Sequence, residues 1–177
     1  MAGASGACTA FNHDSLVNLQ PLHALLWQTG TVTDLGNLGG TGHGNGIQAY
    51  AINRQDQVIG YSDLPGDTTF HSFLWSKETG MKDLGTLPAP FDEASLALGI
   101  NDRGDVVGAA LNASFFPTAV LWEKGASMPA NLNGLIVGNP SGLTLLVAES
   151  INASGGIVGL AVTSTGETHA FLAMPNR

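Results

Sequence analysis

The chain contains few charged residues and very few basic ones. Of its 177 residues 11% are charged, and 6 Lys and Arg stand against 14 Asp and Glu, which gives a formal net charge of −8. Because nucleic acids and anionic membrane surfaces are bound chiefly through clustered Lys and Arg, we expect neither as a partner. A charged share of about half the usual 25% or so, in a chain rich in small polar residues, is typical of a β protein with many turns.

Other absences narrow the possibilities further. Cys8 is the one cysteine, so an intramolecular disulfide is excluded. No apolar run approaches the roughly 20 residues of a membrane span, so membrane insertion is not expected. The first residues lack the basic and apolar regions of a signal peptide, which would suit a cytoplasmic protein or a chain whose export signal is missing. There is no Gly-x-Ser-x-Gly elbow, dinucleotide fingerprint, zincin motif or Cys/His metal spacing.

One short pattern occurs three times and organises the rest of the chain. Ile-Asn is followed by three or four turn residues, two β-branched residues and a glycine, in residues 51–60, 99–108 and 150–159. This pattern predicts a strand, a tight turn and a second strand. An apolar strand that ends in Trp, or in Ala at its last occurrence, recurs about every 50 residues, at 23–27, 71–75, 118–122 and 169–173.

Each repeat unit therefore holds four short strands separated by turn signals. This is the signature of a β-propeller blade, because one four-stranded sheet cannot bury both of its apolar faces alone and stacked sheets can. We predict an all-β fold, a β-propeller of four-stranded antiparallel blades. Residues 1–14 are expected to be a flexible arm and 15–177 a single domain. Its repeat units are about 23–70, 71–117, 118–168 and a partial 169–177.

The strand count predicts that the propeller is incomplete within one chain. Residues 23–35 supply the last two strands of a blade, about 46–84 and 94–132 supply two whole blades, and about 146–173 supply three strands of another. Because about 3.5 blades leave open edges, we expect a homodimer in which the terminal strands of one chain complete the broken blade of the other. Residues 16–19 predict a further short strand.

The repeat resembles a known family. The segments His71-Ser72-Phe73-Leu74-Trp75, Asp83-Leu84-Gly85-Thr86-Leu87 and 99–108 are similar to the HAF repeat, a bacterial repeat named for its His-Ala-Phe strand. The resemblance covers residues 23–173 and implies a propeller-like fold and an extracellular or periplasmic location, but no particular activity. The third unit departs from the pattern, with Thr118 in place of His and Asn131-Leu132-Asn133-Gly134 in place of Asp-Leu-Gly.

The second Ile-Asn turn is the candidate metal site. The repeated Asn of each turn is expected first to cap the turn through its side chain, with Gly in the positive-φ position. In the second unit Asp102 and Asp105 join Asn101, and this oxygen-rich cluster could bind a hard cation such as Ca²⁺. Ca²⁺ is the one cofactor that the sequence suggests.

Residues that break the repeat are the candidate catalytic groups, since folding alone does not require them. His43 lies in a Gly-rich connection that is expected to be mobile, where it could act as a base. Glu149, which we align with Ala51 and Gly99, is expected to point toward a central channel. Four further carboxylates in nearby loops are expected to be solvated or to form acid and base pairs: Asp63, Asp67, Asp92 and Glu93.

The histidines that open the apolar strands, His23, His71 and His169, are expected to be structural. One ring nitrogen of each would bond to the backbone. Metal binding would require the three rings to converge, and the symmetry of the repeat instead separates them.

Three functions remain open at this point. The preferred one is a ligand-binding or interaction module for a small molecule or glycan. The second is a Ca²⁺-dependent hydrolase of the lactonase or esterase type, in which the cation polarises a carbonyl and His43 acts as the base. The third, a glycan-processing propeller, would need aromatic platforms and paired carboxylates. The repeated Trp27, Trp75 and Trp122 are instead expected to pack in the core.

Overall fold

The computed structural model describes residues 2–5, 23–139 and 142–176, and these residues form 14 β-strands and one short 3-10 helix. Nearly all the strands are four to eight residues long and are joined by tight turns. Within the described ranges there is no helix that is long and apolar enough to cross a membrane.

The strands form four antiparallel sheets, each a simple meander in chain order. The first sheet contains β1 (Ala2–Ser5), β2 (His23–Gln28) and β3 (Thr31–Gly36). The second contains β4 (Ile47–Ile52), β5 (Val58–Asp63), β6 (Phe70–Ser76) and β7 (Gly80–Asp83). The third contains β8 (Ala94–Ile100), β9 (Val106–Leu111), β10 (Pro117–Trp122) and β11 (Ala130–Asn131), followed by the 3-10 helix Leu132–Gly134. The fourth contains β12 (Thr144–Ile151), β13 (Ile157–Val162) and β14 (Thr168–Ala173).

The predictions of an all-β chain and of four-stranded antiparallel units are confirmed, while the radial arrangement of a propeller stays a prediction. The prediction of a flexible arm is wrong for residues 2–5, because this segment forms β1 and pairs with β2. Gly3 lies opposite Leu25 as Gly60 lies opposite Phe73, so β1 is the second strand of its unit. The rest of the predicted arm and the predicted strand at 16–19 lie outside the described residues.

The glycine that closes each Ile-Asn pattern is required by a bulge in the neighbouring strand. The first strand of each later sheet has an irregularity at the same place, between Ala49 and Ala51 in β4 and at the matching positions of β8 and β12, and β12 has a second one between Leu145 and Val147. In β4 the carbonyl of Gln48 lies over Gly60, and a Cβ at Gly60 would overlap it. Gly108 and Gly159 meet the carbonyls of Leu96 and Val147 in the same way. The recurring glycine therefore permits a close backbone approach.

The core lies between successive sheets. We call the side that a sheet turns toward the preceding sheet its front face and the opposite side its back face. Phe73 and Trp75, on the front of the second sheet, share a buried cluster with Ala24 and Leu26 from the back of the first. The same arrangement recurs twice, with Ile59 and Trp122 in the cluster between the second and third sheets and Val107 and Ile157 in the cluster between the third and fourth.

Each inner sheet thus buries both faces, whereas the first and fourth sheets each have one face without a neighbouring sheet among the described residues. Trp75 and Trp122 are in the core as predicted, but Trp27, on the front of the first sheet, is 41% exposed. The prediction of a core position is therefore wrong for Trp27.

Candidate functional site

The Asn of each Ile-Asn pattern organises the turn that follows it. The Oδ1 atom of Asn101 accepts hydrogen bonds from the backbone N–H groups of Arg103 (2.9 Å) and Asp105 (3.0 Å). Its backbone completes a tight turn with Gly104, whose φ is 89°. Asn53 and Asn152 make the corresponding bonds in their own turns. The predicted capping role is confirmed in all three turns. The positive-φ glycine is confirmed in the second and third turns, at Gly104 and Gly155, whereas Asp56, with φ of 56°, takes that position in the first.

The same side chains also join neighbouring sheets. Asn53 Nδ2 donates to the carbonyl oxygen of Asn101 at 3.0 Å, and Asn101 Nδ2 donates to the carbonyl oxygen of Asn152 at 3.4 Å. Among the described residues, Asn152 Nδ2 reaches no carbonyl of a further sheet. Asn53 and Asn101 are buried, so these bonds form a ladder that runs along the stack at one end of the sheets.

The carboxylates predicted to bind Ca²⁺ already have protein partners. Asp105 Oδ2 accepts from Asn101 Nδ2 at 3.0 Å and pairs with the Arg103 guanidinium at 2.8 Å. Asp102 accepts from the backbone N–H of Arg54 in the preceding turn, at 3.0 Å. Burial opposes ionisation of Asp105, but the hydrogen bonds from Asn101, Lys124 and Arg103 outweigh it and hold the pKa of Asp105 below its ordinary value.

These contacts favour a structural role for the turn that contains Asn101, Asp102 and Asp105. Across the described ranges, no three His, Cys, Asp or Glu residues come together as a metal site. The Ca²⁺ site stays a prediction.

The Gly-rich loop that contains His43 is fastened to a buried carboxylate. Asp63, at the end of β5, is almost fully buried and accepts hydrogen bonds from the backbone N–H groups of Gly44, Asn45 and Gly46 at 2.9–3.1 Å. A Cβ at Gly44 would overlap the Asp67 carbonyl oxygen, so the chain can follow this path only with glycine there. The loop predicted as a mobile connection is instead held against the second sheet.

Asp67 fixes the middle of the same loop. Its carboxylate accepts hydrogen bonds from the Thr41 hydroxyl and from the Thr41 backbone N–H, the latter at 2.7 Å. The Thr41 hydroxyl, helped by backbone N–H groups and by the nearby His43, holds the pKa of Asp67 below its ordinary value. His43 itself is exposed. The predictions that Asp63 and Asp67 are solvated or catalytic are therefore replaced by a structural role, and Asp92 and Glu93 take no part in this network.

Glu149 is in a different part of the molecule from His43. The register of β12 places it at the bulge between Ala148 and Ser150, in line with Tyr50 and Leu98. The alignment with Ala51 and Gly99 is wrong by one residue, because Ser150 occupies that position. Glu149 is exposed, and within the described ranges no hydrogen bond or ion pair joins it to His43 or to the Asn101 turn.

Two of the three strand-opening histidines, His23 and His71, bond to carboxylates, so the predicted bond to the backbone is wrong for these two. His71 Nδ1 lies 2.8 Å from Asp83 Oδ2 on the adjacent strand, and His23 Nδ1 lies 2.6 Å from Asp34 Oδ2. The other oxygen of each Asp accepts from a glycine N–H two residues later, Gly85 or Gly36. This pairing explains the Asp-Leu-Gly sequence of these units.

The electrostatics of the two pairs are alike. Burial opposes ionisation of Asp83, but the His71 hydrogen bond, the Gly85 N–H and the His71 charge together hold the pKa of Asp83 below its ordinary value. The same balance lowers the pKa of Asp34. In the third unit Thr118 and Asn131 form a neutral contact at 3.4 Å in place of the ion pair.

An apolar groove between the third and fourth sheets is the feature that sequence reasoning missed. Ala173 stands at the front-face position that Trp75 and Trp122 fill in the second and third sheets, as the pairing of Ala173 with Ile157 and of Trp122 with Val106 shows. An open groove of about 500 Å³ lies there, beside β14. Leu121, Leu132, Ile136, Phe171 and Ala173 contribute to its wall, and Glu123, Asn139 and Asn176 to its rim. The replacement of Trp by Ala in the sequence was the available signal.

The groove is apolar and only partly closed. Leu135, Val137 and Met174 around its mouth are more than half exposed. Among the described residues that line it there is no nucleophile paired with a base, and these residues form an apolar surface with a polar rim.

Comparisons with protein-family models, with curated proteins and with solved structures find no match to this chain.

Proposed function

We propose that this protein is a non-catalytic binding module, built as a propeller-like stack of HAF-type blades, that binds a flat apolar ligand in the groove beside Ala173. The observation that carries the proposal is that Ala173, and not a Trp, stands at the front-face position of the fourth sheet. At the two preceding interfaces Trp75 and Trp122 fill the corresponding space and are buried. At the third interface the space lies open, and its wall is made of the same kinds of apolar residues.

The size and lining of the groove support this class of ligand. A volume of about 500 Å³ falls within the usual range of small-molecule sites, roughly 300–1,000 Å³. Leu121 and Leu132 occupy the positions of Leu74 and Leu84, which share the cluster of the Trp122 ring. A planar aromatic group, including one carried by a small molecule or a glycan, would meet the surface that an indole meets one sheet earlier.

The hydrolase and glycan-processing alternatives have less support. The carboxylates of the Asn101 turn are satisfied by Arg103, Arg54 and backbone N–H groups. His43 lies in the loop before β4, whereas Glu149 lies in β12 of the fourth sheet. Two of the three Trp side chains are core residues and offer no exposed platform for a sugar ring. An extracellular or periplasmic location, which the family resemblance implies, suits a binding module.

Titration with indole, followed by backbone amide NMR, tests the proposal. We expect saturable shifts confined to the groove, centred on Leu121, Phe171 and Ala173. Ala173→Trp should abolish these shifts and, by burying an indole, raise the free energy of unfolding by about 1–3 kcal/mol. Ser164→Trp, in the exposed turn between β13 and β14, is the matched control and should leave binding intact. Shifts that survive in Ala173→Trp, or the absence of saturable shifts in the unaltered protein, would refute the proposal.

A further inference from the structure

The two ends of the stack carry unburied copies of its internal interface. Each internal interface joins the back face of one sheet to the front face of the next. The back face of the fourth sheet and the front face of the first are the remaining members of this series, and in each of them the repeated apolar positions are exposed.

On the fourth sheet, apolar residues of the back face are far more exposed to solvent than the matching residue of the third sheet. Val158 pairs with Leu172 as Val107 pairs with Leu121, so both lie on the back face. Val158 is 43% exposed and Leu172 is 65% exposed, whereas Val107 is 0% exposed. Leu160, also on this face, is 38% exposed.

The first sheet shows the same contrast on its front face. Trp27 is paired with Val32, as Trp75 is paired with Met81. Trp27 is 41% exposed and Val32 is 52% exposed, while Trp75 is 8% exposed. A large apolar residue pair is thus presented to solvent at a position where the next two sheets use it for packing.

We propose that two copies of this chain associate head to tail, with the front face of the first sheet of one copy packed on the back face of the fourth sheet of the other. A second copy of the chain is the expected partner, because the contact would continue an interface that the chain already makes three times. Each end has the surface that the opposite end needs, and neither matches a second copy of itself. The back-facing residues of β13 and β14 carry no charge, and Asp34 on the first-sheet face is already paired with His23 at 2.6 Å.

Head-to-tail contacts close when the rotation between copies permits a ring. Two copies would bring together twice four sheets, which is within the range of about four to eight blades found in propellers. Both terminal strands are already paired within their own sheets, β1 with β2 and β14 with β13. The observations therefore favour stacking of whole faces over the strand completion that the sequence suggested.

Sedimentation velocity with two complementary variants tests this arrangement. The unaltered protein should sediment at twice the mass of one 18.2-kDa chain. Val32→Glu blocks every first-sheet face and Leu172→Glu blocks every fourth-sheet face, so each variant alone should be monomeric. An equimolar mixture should regain the doubled mass, because the intact fourth-sheet face of one variant meets the intact first-sheet face of the other.

Controls separate this contact from charge and folding effects. Ser164→Glu adds the same charge in an exposed turn and should sediment as the unaltered protein does. Val32→Thr and Leu172→Thr replace the Glu variants if circular dichroism shows that a Glu variant has unfolded. The proposal is overturned if the unaltered protein stays at the mass of one chain at all concentrations, if either variant alone still dimerises, if the mixture does not recover, or if the mass grows without limit.

Discussion

Replacing Asn53 by Asp would measure what the ladder between sheets contributes to stability. Asn53 Oδ1 accepts from the backbone N–H groups of Gln55 and Gln57, both at 3.0 Å. Its Nδ2 donates to Gln57 Oε1 at 2.7 Å and to the Asn101 carbonyl at 3.0 Å. Aspartate keeps the acceptor and so preserves the turn, but it places an oxygen where the donor was.

The expected loss comes from one of the two donor contacts of Asn53 Nδ2, the one to the Asn101 carbonyl. The Gln57 amide can rotate and donate its own N–H to the new carboxylate, so that contact is retained in reversed form. The Asn101 carbonyl cannot move in this way and would face a carboxylate oxygen at hydrogen-bond distance in a buried site. A lost hydrogen bond costs about 1 kcal/mol and an unsatisfied buried group about 1–3 kcal/mol, so we expect the free energy of unfolding to fall by about 2–3 kcal/mol.

Asn152→Asp is the matched control within the same chain. Asn152 Oδ1 makes the same turn bonds, to the N–H groups of Ser154 (3.0 Å) and Gly156 (2.8 Å), and among the described residues its Nδ2 has no carbonyl of a further sheet to lose. We expect this variant to lose less than about 0.5 kcal/mol, as an ordinary surface change does. Urea unfolding followed by circular dichroism at neutral pH gives both values. Equal losses in the two variants would show that the bond between sheets contributes nothing.

Three further predictions concern other contacts. Asp63→Asn weakens the charge-assisted hydrogen bonds to the Gly44–Gly46 backbone, each worth about 1.5–3 kcal/mol. The variant should therefore unfold at a lower urea concentration and show faster amide hydrogen exchange in that loop. Unchanged exchange would contradict the anchoring role. Because the folded-state pKa of Asp83 lies below its unfolded value of about 3.9, ionised Asp83 stabilises the fold above that pH and the contribution is lost as the pH falls through the folded-state pKa. The melting temperature of Asp83→Asn should therefore lie below that of the unaltered protein at pH 6 and approach it near pH 3, and a constant difference would disprove the assignment. Ser72 carries a buried hydroxyl that has no hydrogen-bond partner among the described residues, and Ala24 and Ala119 occupy the matching positions. Ser72→Ala should therefore raise the free energy of unfolding by about 1 kcal/mol in the same urea assay, and a decrease would contradict the assignment.

The local features of the fold could be predicted from the sequence because they depend on neighbouring residues. The two whole units, predicted at about 46–84 and 94–132, match the sheets β4–β7 and β8–β11 closely. The Asn-capped turns were predicted correctly, since Asn at such a position satisfies the N–H groups two and four residues later.

Long-range partners were harder to predict. The pairing of His71 with Asp83 could have been found, because in the third unit both members change together, to Thr118 and Asn131. The anchoring of the Gly44–Gly46 loop by Asp63 gave no such signal, because it occurs in one unit only. Glu149 was misplaced by one residue, since Ser150 precedes the third Ile-Asn pair as Ala51 and Gly99 precede the first two, and the same bulge is present in all three strands.

The sequence by itself determined the strands, the turns and the period of this protein, since alternating apolar residues between Asn- and Gly-rich turns can form little else than small antiparallel sheets. Only the tertiary structure decided which faces are covered and which are open. The absence of an indole at Ala173 and the exposure of Trp27 and Leu172 depend on what the neighbouring sheet supplies at each face. Burial is a property of two packed surfaces, and one repeat unit specifies only one of them.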